Sequence, residues 1–246
     1  MILSAAHAAL RNLFSPELRT VFFKTFGLTL IALIALWFGL KEVFDWLALP
    51  WIDTLLPGLP SWAGWLTFIA AILAGIGLAV ALALLVAPVT AAIAGLFLDD
   101  VAEAVERIDY PADPPGVALP IGRALMQSLK FFGVVILGNI VALLLLLVPG
   151  VNIVAFFVVN GYLLGREFFE FAAMRHLAQE DAKALRRRHS LTVFLAGLLI
   201  AAFVSVPLLN LLAPLFSAAM MVHLFKMLSA GDPKIAAKAT ALRQAA

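Results

Sequence analysis

Apolar runs separated by a few charged connectors dominate the chain, and their lengths predict helices. Ser15-Pro16-Glu17-Leu18 reads as a helix start, with a hydroxyl N-cap, proline at the first helical position and an acid in the first turn. The pattern is then apolar to about Leu40, broken only by Lys24, whose stem lets its ammonium snorkel to headgroups. This predicts a spanning helix over 20–40. Ser61 caps a second apolar stretch, 62–98, which continues as the amphipathic run Asp99–Arg107. As one helix, Trp62–Arg107 would be roughly 65–70 Å long, against a hydrocarbon core of about 30 Å. It therefore protrudes, or it breaks at Pro88 and the nearby glycines.

Two further segments, 131–165 and 191–225, each read as apolar arm, turn, apolar arm. Their turns repeat one signature, Val-Pro-x-x-Asn, at Val148–Asn152 and Val206–Asn210, with prolines 58 residues apart. Lys130 and Arg188 precede the two prolines by the same interval. The repeat suggests hairpins packed about a local axis along the membrane normal. A water-facing turn would carry Gly, Asp or Lys, whereas these tips are apolar with one amide each. The arms hold about 13–18 apolar residues, at or below what a span needs. Six conventional spans are the alternative; the apolar tips favour helical hairpins that insert only part way. Ile2, Leu3, Ala6, Leu10, Leu13 and Phe14 recur at helical spacing, so 1–14 reads as an interfacial helix or else as a frayed terminus. Residues 121–130 read as an interfacial approach helix, and 226–246 as a polar cytoplasmic tail. The fold class is an all-α membrane protein: two long transmembrane helices, two partly inserted hairpins and interfacial helices in one polytopic domain, 1–246.

Composition agrees. Hydrophobic residues make up 64 % and charged residues 13 % of the 246 positions, against about 45–50 % and 25 % in soluble domains; mean hydropathy is +1.06. Cysteine is absent, which excludes disulfides and thiolate metal sites. Met1–Leu10 lacks the charged start and apolar stretch of a cleaved signal peptide. Of 17 Lys and Arg residues, only Lys41 lies in the 41–61 loop, and all five tryptophans fall in or beside that loop. The positive-inside rule then places both termini and the connectors 99–130 and 166–188 in the cytoplasm, with the tryptophan-marked loop outside.

In order and spacing, several motifs resemble the CysZ family of bacterial sulfate permeases, which share a domain with an etoposide-induced eukaryotic membrane protein. They are Ser15-Pro16-Glu17-Leu18-Arg19, Pro60–Leu66, Ala87-Pro88, Leu96–Glu106, Pro149-Gly150 and Val206–Leu211. The resemblance spans Ser15 to about Phe225. It implies a bacterial inner-membrane protein with cytoplasmic termini that takes up sulfate for cysteine synthesis and assembles into homo-oligomers.

Arg19 is the first candidate for contact with an anion. It lies one turn into a helix whose free amides and dipole favour negative charge, and its planar fork suits oxyanions. The resemblance matches Leu18-Arg19 to the family's Gly-Leu-Arg element, with Glu17 in place of the glycine. A carboxylate there repels an incoming anion by on the order of 3–4 kcal/mol, unless it turns outward or pairs with Arg19 or Lys24. The alternative is that Glu17 only stabilises the helix start while Arg19 holds headgroups. Asp99, Asp100, Glu103, Glu106 and Arg107 include i, i+3, i+4 and i+7 pairs, so several share a face that either gates a vestibule or is simply solvated. Asn152 and Asn210 at the tips, with Asn139 and Asn160 on the arms, either bridge helices or touch a permeant ion. Arg186-Arg187-Arg188-His189 reads as a topology anchor that binds anionic lipid, with a role in collecting or releasing anions as the alternative.

His7, His176, His189 and His223 have no metal-ligand spacing, and no cofactor fingerprint is present. The expectation is no enzyme, no metal, no cofactor and no nucleic acid, with membrane lipids and an anion as partners. A secondary transporter carries buried ionisable residues along its path, and the pattern shows none there, which favours passive conduction. Two functions stay open: a permease or channel for sulfate or a related oxyanion, and a structural or regulatory membrane protein on the same scaffold.

Overall fold

A computed structural model describes residues 1–47, 95–118 and 151–230, with 65, 69, 72, 73, 75–80, 89, 93, 122 and 235 besides. Most of the second predicted span, the approach helix, the first arm and tip of the first hairpin, Trp51 and Asn139 lie outside the described residues. Among those described, all regular structure is helical: α1 (Ile2–Leu13), α2 (Pro16–Leu47), α3 (Leu98–Asp109), α4 (Val151–Met174), α5 (Gln179–Arg188), α6 (Ser190–Val204), α7 (Pro207–Asn210) and α8 (Ala213–Ser229).

The chain divides into two units, Lys24–Ile93 and the remainder. In the first, α2 presents apolar side chains outward all round: Phe26, Leu30, Ile31, Ile34, Trp37 and Phe38 are exposed. Pro16–Val43 is long and apolar enough to cross a membrane, about 42 Å at helical rise. Only 17 % of its apolar window is buried, and outward-facing apolar side chains of this kind suit lipid.

The second unit is built around α8. Leu215–Phe225 is buried throughout, and α1, α3, α4 and α6 pack against it. Phe216 stacks on Phe203 of α6 with ring centres 4.1 Å apart, and Phe225 meets Phe169 edge-on. Small residues bring α4 and α6 together. A Cβ on Gly197 would run into the Gly161 carbonyl oxygen and lie 2.7 Å from the Gly165 Cα; one on Gly165 would lie 2.6 Å from the Val193 carbonyl oxygen. Gly161 and Gly165 are one helical turn apart, the spacing that lets two membrane helices touch backbone to backbone.

Several boundaries move. The predicted apolar face of α1 is split. Ala5, Ala6, Ala9 and Leu13 are buried, while Leu3, Leu10 and Phe14 are exposed, because the alanine side admits α8 most closely. The arm expected to end at Gly165 continues as helix to Met174. Gly165 serves the crossing rather than a helix end, and the charge of Glu170 is met by Arg166 and Arg186. The 166–188 connector is thus the end of α4, a turn and α5, with a 90° bend between α5 and α6. The 226 boundary shifts too: Lys226 is buried within α8 rather than starting a frayed tail. At the second tip the Asn210 amide closes on the Val206 carbonyl at 2.9 Å, so Val-Pro-x-x-Asn forms a single helical turn.

Candidate functional site

The segments read as cytoplasmic connectors meet in a layer of buried polar side chains. Its centre is Glu106 on α3, 4 % exposed. One carboxylate oxygen accepts from Arg175 Nε at 3.3 Å and His176 Nε2 at 2.9 Å; the other accepts from Arg175 Nη2 at 3.2 Å and the Gly116 amide at 2.9 Å. Arg175 also pairs with Asp99. Burial alone would raise the Glu106 pKa. The hydrogen bonds from His176 and Arg175, the Arg175 charge and the Gly116 amide outweigh it and hold the group down at about 2. Desolvation would weaken Arg175 as an acceptor of its proton, yet Glu106 and Asp99 push its pKa above the usual value. Gly116 is required by proximity: a Cβ there would stand 2.9 Å from the Arg175 Cβ and 3.0 Å from the Glu106 carboxylate.

A second set joins α1 to α8. Asn12, 2 % exposed, donates to Asp109 at 2.8 Å and lies 3.0 Å from His223 Nε2; His223 Nδ1 lies 2.9 Å from the Tyr110 hydroxyl. The assignment that gives each of these contacts a donor and an acceptor has the Asn12 amide donating both hydrogens and the His223 proton on Nδ1, facing Tyr110. Arg11 pairs with the other Asp109 oxygen. Burial, then the charges of Asp109 and Asp113, push the Tyr110 hydroxyl up to about 12. Lys226 binds Asp113 at 3.0 Å and sits over the Tyr110 ring. Asn12→Leu leaves Asp109 and His223 each short of a partner. The expected loss is about 1–3 kcal/mol, read as a lower thermal midpoint of the purified protein.

The predicted residues separate. Leu18 is fully buried, so only its backbone can meet a ligand, and its amide is already taken by the Ser15 hydroxyl at 3.3 Å. The Arg19 amide binds the Ser15 carbonyl at 3.0 Å and Pro16 has no N–H, which leaves the Glu17 amide and the exposed Arg19 side chain at this helix start. Among the described residues neither Glu17 nor Arg19 has an ion-pair partner. The charged face of α3 is two faces: Asp99 and Glu106 turn inward, while Asp100, Glu103 and Arg107 are exposed. Asn210 is exposed, Asn152 is the second residue of α4, and Asn160 binds back to the Phe156 carbonyl at 2.9 Å on its own helix.

Ionisable groups are buried in the connectors, at Glu106, Arg175 and His176, and His223 is buried on the second hairpin's return arm. Sequence reasoning missed the layer because its members are far apart in the chain. A legible sign was there: Arg175-His176 directly follows a 24-residue helix, where two polar side chains must either reach water or find partners. Among the described residues no cluster of His, Cys, Asp or Glu could hold a metal ion.

Among the described residues the protein is all-helical, with one outward-facing helix long and apolar enough to cross a membrane. Residues 5–214 match the family described as sulfate transporter CysZ/etoposide-induced protein 2.4, and the chain belongs to that family. It is a family of transporters rather than of enzymes.

Proposed function

We propose that this protein is a passive permease or channel of the bacterial inner membrane that takes up sulfate or a related oxyanion and supplies sulfur for cysteine synthesis. Family membership over 5–214 carries the reading. In this reading two long helices span the bilayer, both termini are cytoplasmic, and the hairpins insert part way. The lengths support partial insertion: α6 and α8, with 15 and 17 residues, extend about 22 and 25 Å, short of the hydrocarbon thickness of about 30 Å. The polar layer then lies at the cytoplasmic surface and holds the hairpins' inner ends in register, while homo-oligomers enclose the passage.

At the start of α2 the anion would meet the Arg19 guanidinium and the Glu17 amide, with Leu18 fixing the turn from the core. Exposed Glu103, Arg107 and Asn210, and Asn152 near the other tip, are the residues proposed to face the permeant. Glu106, saturated by four donors, would act as structure rather than as a gate. Reconstituted with labelled sulfate, the protein is expected to give flux above empty liposomes. Arg19→Ala should lower it about tenfold, the worth of one charge-assisted contact, and Glu17→Gly should raise it. The partly buried Glu17 carboxylate, without an ion-pair partner among the described residues, favours a second reading as a non-transporting structural or regulatory protein. Liposomes as tight as empty controls would reject transport and leave that reading standing.

A further inference from the structure

Beneath the α4–α6 crossing lies a cavity of about 260 Å³ that the proposed pathway does not use. Its polar lining is Tyr162 and Arg166 from α4, Arg186 from α5 and Ser190 from α6; Leu191 and Phe194 supply an apolar wall. We infer that this cavity is a binding site for a tetrahedral oxyanion, a sulfate or phosphate group, held between Arg166 and Arg186 at the start of α6.

Charge is the first argument. Arg186 Nε donates to Glu170 at 2.7 Å, and Arg166 Nε stands 3.6 Å from the same oxygen. Two guanidinium groups thus share one carboxylate, leaving a surplus positive charge at the lining. An unmet donor is the second: the Arg166 side chain is 41 % exposed, but its Nε is buried and, among the described residues, makes no hydrogen bond, the Glu170 oxygen at 3.6 Å being beyond reach. A buried donor without an acceptor is costly, and a ligand oxygen in the adjoining cavity would remove that cost. The helix geometry is the third. No side chain caps α6 at its N-cap His189, so the first amides and the positive end of a 15-residue helix open beside Ser190 and Leu191, where negative charge is favoured. Arginine pairs of this kind bind sulfate and phosphate through parallel N–H bonds.

The oxyanion has two sources. It is the free ion, or it is the headgroup of an anionic phospholipid whose chain follows exposed Leu191, 68 % accessible, and Phe194. The site does not depend on whether the chain conducts.

The full chain carrying Arg19→Ala, so that the α2 site is silent, is placed in phosphatidylcholine nanodiscs and dialysed to equilibrium against labelled sulfate. In a second arm, native mass spectrometry measures retention of phosphatidylglycerol against phosphatidylcholine. Arg166→Gln removes one guanidinium. Leu191→Glu, at a position 68 % accessible, sets a carboxylate at the rim and keeps the test open if the first variant aggregates. A loss of affinity of about threefold or more in either variant, in either arm, supports the site. A loss for sulfate identifies the free ion, and a loss for phosphatidylglycerol identifies the headgroup. Smaller changes in both arms with both variants overturn it. Because Arg19 is absent throughout, failure here leaves the α2 site and the transport reading untouched.

Discussion

Glu106→Ala is expected to destabilise the protein by about 3–5 kcal/mol, the usual effect of stripping one partner from a buried ion pair. The cause is the group left behind. Arg175, with a side chain 2 % exposed, would keep only Asp99, and the Gly116 amide and His176 would lose their acceptor. Glu106→Gln, which keeps the shape and one acceptor oxygen, should cost less. The acid response gives an independent check. Held at about 2 instead of 4.5, Glu106 contributes about 3 kcal/mol at neutral pH. Its folded pKa is depressed, so that contribution is complete above pH 4.5 and drains away as pH falls through 2. Denaturant midpoints measured in detergent across this window should fall more steeply for the native chain than for Glu106→Gln. Parallel curves would mean that the carboxylate is solvated.

Gly197→Ala is expected to be as severe, although it adds a single methyl. The new carbon meets backbone, the Gly161 carbonyl oxygen and the Gly165 Cα at 2.7 Å, and backbone cannot swing aside as a side chain can. Opening the α4–α6 crossing should cost about 3 kcal/mol or more, at or beyond the upper end of ordinary overpacking. Gly161→Ala presses first on the Leu198 side chain, at 2.7 Å, whose terminal methyl can rotate, so about 1–2 kcal/mol is expected. Gly27→Ala, with nothing within 4 Å, should be neutral or slightly stabilising by helix propensity. Thermal midpoints followed by size exclusion should rank the variants in that order. A Gly197→Ala protein as stable as Gly27→Ala would show that the helices do not touch there.

Both predictions rest on features unequally legible in the chain. The long apolar run of α2, its Ser15-Pro16 start and the proline turn at 207 follow from local rules: capping, the rise of a helix and the length of an apolar stretch. The α1 helix was open to the same reading, but its partner was not. An alanine face and a leucine face have similar hydrophobicity and differ in how closely another helix can approach. Gly161 and Gly165 carry the same lesson, since a glycine marks a helix end or a contact depending on what lies opposite.

The polar layer was the least legible part. Asp99, Glu103 and Glu106 share a helical face within a wide tolerance, and only packing could decide that Asp99 and Glu106 turn inward while Glu103 stays in solvent. Their partner Arg175 lies 69 positions from Glu106 and was readable only as one more charge in a basic connector. The sequence alone therefore determined a helical membrane chain with an interfacial distribution of charge, because burial of apolar length and the cost of moving charge into lipid act locally along the chain. Tertiary structure decided which charges are buried together and which helices touch, because those outcomes depend on contacts between positions that no local pattern connects.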